Sequence, residues 1–267
     1  MLYNVRDAIK EAHVMLNTDS DFHTRVYSLL NSEPDLQVMV DLLLFAHPDR
    51  GRLMLNIGGI ANVTALPAGA DSTTGILAFD LGPGNALIDA AVGHLSGGRE
   101  RYDAGGRRAA GGEASEEWVE RLMKHEFFRR PPPKSTGREE FGTEFLAQLM
   151  IDSGLEGADL LATLTLFTAR SIGAGVQRFG DPEGQLGEVW VSGGGVHNDH
   201  LMAMLEDELA PRQVRSLNDL GVPADAKEAV AFAVLANETL MGRAGNVTAA
   251  TGAGVGAVLG KISLPSV

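Results

Sequence analysis

Apolar and polar positions divide this chain into stretches of two periods, one suited to strands and one to helices. Residues 1–34 carry a mixed, weakly helical pattern that breaks at Asn31-Ser32-Glu33-Pro34. The apolar run over 36–45 is long for a single strand and predicts a buried helix. LMLNIGGIANVTALP, residues 53–67, holds two apolar runs pinned together by Asn56-Ile57-Gly58-Gly59 and predicts a β-hairpin. GILAFDLGPGNALIDAAVGHL then predicts a strand over 75–79, a turn at Gly82 and Gly84, and a helix over 86–95.

Beyond this the pattern loosens. Residues 97–115 are glycine-rich and read as loop, followed by a helix over 116–124. RRPPPKSTGREEF reads as a stiff, basic connection, because its three prolines exclude regular hydrogen bonding. Helices are expected over 143–152 and 159–179, the second with Asp159 as its N-cap. EVWVSGGGVHNDHLMAMLEDEL repeats the strand, glycine turn, helix theme, and Asn198 is placed to cap a helix whose apolar face is Leu201, Met204, Leu205 and Leu209. In DAKEAVAFAVLANETLMG, Asp225 and Glu228 have capping-box spacing and Gly242 supplies the stop. Strands alternating with helices predict an α/β fold with a five-stranded mixed sheet flanked by helices.

Three glycine turns follow apolar strands: Gly58-Gly59, Gly82-Pro83-Gly84 and Gly193-Gly194-Gly195. Each alone is an ordinary turn, since short glycine loops occur in every fold class. Together they suggest a ligand, because α/β sheets bind ligands beyond the carboxyl ends of strands, where side-chain-free turns expose backbone N–H groups and helix N-termini favour phosphate. A dinucleotide fingerprint fails, with Leu87 and Asn198 where it wants Gly or Ala, and no Walker pattern occurs.

Composition is that of a globular chain of 267 residues, 44% hydrophobic and 21% charged. A net charge of −13 argues against nucleic acid or an anionic membrane as the main partner, since both reward clustered Lys and Arg. Cysteine is absent, which excludes disulfides, thiolate catalysis and cysteine-ligated metals. Neither a signal-peptide pattern nor an apolar window near the bilayer-spanning length appears, so a cytoplasmic location is expected.

NIGGIANVT, FDLGPGNALIDA, PPKSTGREEF, VSGGGVHN and DAKEAVAFAVLANETL, in this order over residues 43–262, closely resemble the anhydro-N-acetylmuramic acid kinase family. The resemblance implies an actin-like ATPase (ribonuclease H-like) lobe and an ATP- and Mg2+-dependent kinase. Its reaction opens the 1,6-anhydro ring with water while the sugar O6 takes the γ-phosphate, in recycling of cell-wall amino sugars. By the same resemblance, Asn56, Gly58, Gly59 and Asn62 form a phosphate hairpin. Asp80, Gly82, Gly84 and Asn85 line the cleft, Gly193, Gly194, Gly195 and Asn198 form the adenosine loop, and Glu228 faces the sugar.

The residues by themselves leave alternatives. Glu228 also fits a capping box, Asp80 also fits an ordinary turn, and His197 fits either a ligand contact or a structural role. Lys134, Ser135, Thr136 and Arg138 look suited to phosphate, yet equally suit a solvated or dimer-contact loop. The family's first phosphate loop and base-bearing segment find no match, since residues 1–42 contain no glycine and only Asp21-Phe22 hints at a remnant. The expected organisation is therefore a divergent helical remnant of a first lobe over 1–42, and over 43–267 a second, nucleotide-binding lobe whose C-terminal helix reaches toward the truncated first lobe. No catalytic base and no metal ligand is assigned. Without a first lobe, an inactive lobe that acts by binding or association, alone or as a homodimer, is the alternative to a working kinase.

Overall fold

The computed structural model describes residues 34–71, 75–247 and 255–260. The weakly helical patterning of residues 1–33, with the Asp21-Phe22 remnant, lies outside the described residues. Helix α1, Pro34–Phe45, is the buried helix expected from the apolar run. It spans residue 42, the expected boundary between the two segments, and Val38, Met39, Leu42 and Phe45 pack under the sheet.

Five strands form that sheet: β1 Arg52–Ile57, β2 Ile60–Leu66, β3 Leu77–Pro83, β4 Glu188–Ser192 and β5 Gln213–Ser216. Their order is β3-β2-β1-β4-β5, with β2 antiparallel to β1 and β3, and β4 parallel to β1 and β5. This is the five-stranded mixed sheet expected from the sequence. Strand β3 runs further than expected, because Asp80 pairs with Asn62, Gly82 with Ala61 and Pro83 with Ile60, so the ladder continues through the predicted turn. A register shift at Ala61/Asn62 accommodates it.

Side chains alternate across the strands, as a sheet covered on both faces requires. Leu53, Leu55, Ile57, Val63, Phe79, Leu81, Val189 and Val191 face one layer. It is built from helices α5, Gly157–Gly175, and α6, Asp199–Glu208, through Ala169, Ile172, Leu201, Leu205 and Leu209. Met54, Leu66, Ala78 and Trp190 face the opposite layer with α1. A third apolar cluster joins α2, Ala86–Leu95, α3, Glu116–Leu122, and α4, Thr143–Ser153, to α5 around Phe127, Phe141 and Phe167.

Three local expectations are corrected. Helix α5 begins two residues before Asp159, with Glu156 as N-cap, and ends at Gly175 with a wider turn over Val176–Gly180 in place of a continuous helix to 179. The Asp159 carboxylate instead accepts the Glu113 N–H at 2.8 Å, so it ties a loop to the helix rather than capping it. Helix α7, Lys227–Leu240, starts without a side-chain cap, because Asp225 is turned to His197; the capping-box reading of Asp225 and Glu228 does not hold. Asn198 does cap α6, accepting the Leu201 N–H at 2.9 Å, and Gly242, at φ +64°, follows the end of α7. No helix among the described residues is long and apolar enough to cross a membrane.

Candidate nucleotide cradle

Strands β1, β3 and β4 run the same way, so the three glycine turns that follow them emerge at one end of the sheet. The first two turns are joined by backbone. Gly84 N–H and Ala86 N–H donate to the Gly59 carbonyl at 2.9 and 3.1 Å, and Asn85 N–H donates to the Gly58 carbonyl at 2.8 Å. Asn85 Nδ2 adds a bond to the Ile57 carbonyl at 3.4 Å. The third turn leans on the first through Ser192, whose hydroxyl donates to Leu55 O at 3.3 Å and to Asn56 Oδ1 at 3.4 Å.

The glycines of these turns fall into two groups. A Cβ on Gly84 would lie 2.4 Å from the Gly58 carbonyl oxygen, and one on Gly193, which sits at φ +81°, would lie 2.7 Å from Asn56 Oδ1. Gly82 and Gly195 are similarly closed in, by Phe128 and Ile57. These four are demanded by the fold itself. Gly58, Gly59 and Gly194 differ, since a Cβ there would meet neighbours only at 3.7, 3.5 and 3.6 Å, ordinary contact distances, and none of the three has a left-handed backbone. Packing gives no reason for glycine at these three positions.

The amides of the hairpin are not equivalent either. Gly58 N–H closes the turn onto the Ile60 carbonyl at 3.2 Å, whereas the Gly59 N–H has no acceptor among the described residues. Of the two amides expected to reach a ligand, Gly59 is the one left over.

Asp80 is buried and its carboxylate accepts the Thr136 N–H at 2.9 Å, while its own N–H donates to the Lys134 carbonyl at 3.2 Å. Burial pushes its carboxyl up to about 6, against the Thr136 bond and the Lys134 charge. Asp80 thus anchors the PPPKSTGREEF connection beside the cradle. Lys134, read as suited either to phosphate or to a solvated or dimer-contact loop, is buried, with Nζ donating to the Phe127 carbonyl at 3.2 Å and lying 4.3, 5.0 and 5.8 Å from the ring centres of Phe127, Phe179 and Phe79. Burial and the nearby Arg178 and Arg130 bring its amine down to about 8. An ammonium on three aromatic faces replaces hydration with cation–π contacts, which is why the loop tucks inward here. Ser135 and Arg138 remain exposed, and Thr136 is half-buried with its hydroxyl donating to Glu140 at 2.7 Å.

Asn56, Asn62 and Asn85 lie at the turn end of the sheet, each half-exposed. Asn198 sits behind its turn, nearly buried and committed to the α6 cap. His197 pairs with Asp225 at 2.9 Å, linking the third turn to the start of α7. Glu228, on the first turn of α7, is half-buried; burial raises its carboxyl, opposed by Lys227 beside it. Asp89 was not singled out from the sequence. It is a lone charge in the apolar helix ALIDAAVGHL, which is the signal that could have found it, and burial pushes its carboxyl to about 6 against the Arg138 charge. Among the described residues no group of three or more His, Asp or Glu side chains is placed to hold a metal ion.

The family model described as anhydro-N-acetylmuramic acid kinase matches residues 9–265. The chain belongs to this family. The match begins well before residue 43, where the motif resemblance starts, and so takes in most of the segment read as divergent. The anhydro-N-acetylmuramic acid kinase of Salinibacter ruber is 43% identical over 228 residues, covering 84% of this chain and 57% of that protein. The one from Caldanaerobacter subterraneus subsp. tengcongensis is 39% identical over 250 residues, covering 92% of this chain and 63% of that protein. The chain thus spans less than two thirds of the length of either family member. Among solved structures, the activator of the 2-hydroxyisocaproyl-CoA dehydratase from Clostridium difficile with bound ADPNP overlaps at a TM-score of 0.47 and 14% identity. That overlap covers 78% of this chain and 67% of that one, and it is too low to argue from.

Proposed function

We propose that this chain is the nucleotide-binding part of a kinase that phosphorylates 1,6-anhydro-N-acetylmuramic acid. Residues 43–267 form the second lobe with its C-terminal helix, and residues 1–42 stand in for part of the first. The observation that carries the reading is the convergence of Gly58, Gly59 and Gly194, three glycines that packing does not require, at the carboxyl end of the sheet. Bare backbone at that place suits a phosphate chain along Gly59 and a nucleoside against Gly194.

In the full reaction ATP supplies the γ-phosphate to the sugar O6 and water takes the anomeric carbon as the anhydro bridge opens, giving N-acetylmuramic acid 6-phosphate and ADP. Within this chain, Gly59 N–H donates to phosphate oxygen, Asn85 and Asp80 hold the surrounding loops, and Glu228 offers a carboxylate on the sugar side. Mg2+ would arrive with the phosphates and keep much of its water, as is usual for this ion, so no dedicated protein cage is assigned to it. The reading places the reaction in the cytoplasm, with recycled amino sugar as substrate.

Isothermal titration with ADP and ATP, together with an ADP-release assay on the anhydro sugar, tests it. Binding of ADP and ATP with closely similar affinity, at high micromolar values or weaker, is expected, because the contacts named here lie on the nucleoside and inner-phosphate side and roughly 70–90% burial is typical only of closed pockets. Absence of any nucleotide binding overturns the reading. Binding without turnover supports the second reading, a lobe that does not catalyse by itself, which the lack of glycine in residues 1–42 favours.

A further inference from the structure

The exposed side of the hairpin turn is covered by a cation. A Cβ on Gly59 would lie 3.5 Å from Arg138 Nη2 and 3.6 Å from Arg138 Nε, so the guanidinium lies directly over the turn whose N–H is unspent. Among the described residues Arg138 makes no salt bridge, as is also true of Arg99, Arg107 and Arg178, whereas Arg108, Arg170 and Arg212 are paired. The guanidinium and the bare backbone donor are two positive features side by side, and among the described residues no carboxylate lies within ion-pair distance of Arg138.

The loop holds Arg138 in place from both sides. Thr136 is bonded to Asp80 through its N–H and to Glu140 through its hydroxyl, and the Gly137 carbonyl accepts Phe141 N–H at 2.9 Å. The tethered backbone on either side of Arg138 limits where its side chain starts from before any ligand arrives, which reduces the ordering cost of binding.

We infer that Arg138 is a phosphate ligand of the cradle, gripping the same phosphate group as the Gly59 N–H. The inference rests on the nucleotide reading above and deepens it. A guanidinium and a backbone amide together match two oxygens of one phosphate, the geometry that favours Arg over Lys. The ligand class is a nucleoside diphosphate or triphosphate, and adenosine, lacking phosphate, should not sense the side chain.

The test is titration of the full chain with ADP and with adenosine, for wild type, Arg138→Gln and Arg138→Lys. Arg138→Gln is expected to weaken ADP by about tenfold or more, the usual size for a lost charge-assisted bond, and to leave adenosine within about twofold. Arg138→Lys should recover part of the loss. Unchanged ADP affinity in Arg138→Gln, with ADP still bound, overturns the inference alone. Wild type that binds no ADP overturns both it and the reading beneath it.

Discussion

Lys227 Nζ lies 2.8 Å from Asp41 Oδ1, an ion pair buried at both ends that fastens helix α7 to helix α1. Thr64 on β2 donates to the other Asp41 oxygen at 2.9 Å, so the pair is also tied to the sheet. Removing one member of such a pair strands a charge in the interior. Lys227→Met is expected to cost about 3–5 kcal/mol in denaturant unfolding, and Lys227→Met with Asp41→Asn distinctly less. A double variant as unstable as the single would show that packing, not stranded charge, sets the loss.

The two groups of glycines separate stability from binding. Gly84→Ala forces a methyl against the Gly58 carbonyl and is expected to destabilise by about 1–3 kcal/mol, the usual cost of overpacking. A Cβ at position 194 meets only Asn85 Nδ2, at an ordinary distance, and Gly194→Val should melt close to wild type while losing nucleotide binding. Thermal melts and ADP titrations on both variants give the comparison; nucleotide binding by a well-folded Gly194→Val would remove Gly194 from the site.

Asp80 gives a pH signature. Its carboxyl sits at about 6 against a usual 3.8, so the folded chain holds this proton more tightly than the unfolded chain does. That contribution to stability is complete below about pH 4 and is lost as pH rises through about 6. Asp80→Asn removes the titration and keeps an oxygen for the Thr136 N–H. On going from about pH 7 to about pH 4, wild type should gain up to ~2 kcal/mol relative to the variant. Unfolding titrations at the two pH values measure it, and a gap independent of pH would mean the carboxyl is not desolvated.

Lys134 offers a further check. Its amine lies among three phenyl rings and is bonded to the Phe127 carbonyl, so Lys134→Glu would bury an anion against ring faces that repel it. A loss of at least ~2 kcal/mol is expected, as for other unpaired buried charges, whereas Lys134→Met should be far milder. Equal effects of the two in thermal unfolding would place the lysine in water.

The strands, the helix that follows Gly84 and the cap at Asn198 were legible because each rests on a short-range pattern: an apolar run, a turn residue, a capping side chain. Strand β5 was not located, since QVRS is short and only half-covered on one face. Asp225 and Glu228 had the right spacing for a cap, yet a partner 28 residues earlier, His197, took the Asp225 carboxylate. Spacing within a helix cannot register such a competitor. The burial of Lys134 escapes the sequence for the same reason, because the rings that hold it come from residues 79, 127 and 179. The three glycine turns were seen one by one, whereas the division between those the fold needs and those it does not exists only in three dimensions.

The first two turns of the cradle are stitched by main-chain atoms, Gly84, Asn85 and Ala86 donating to the carbonyls of Gly58 and Gly59. Side chains have little part in that seam, so substitutions around it can alter charge and shape without unpicking it. Arg138 stands outside the seam and is free to change. A chain built this way keeps a fixed socket while its fittings vary, and selection acting on Arg138 could retune which phosphate compound is gripped without having to reinvent the frame.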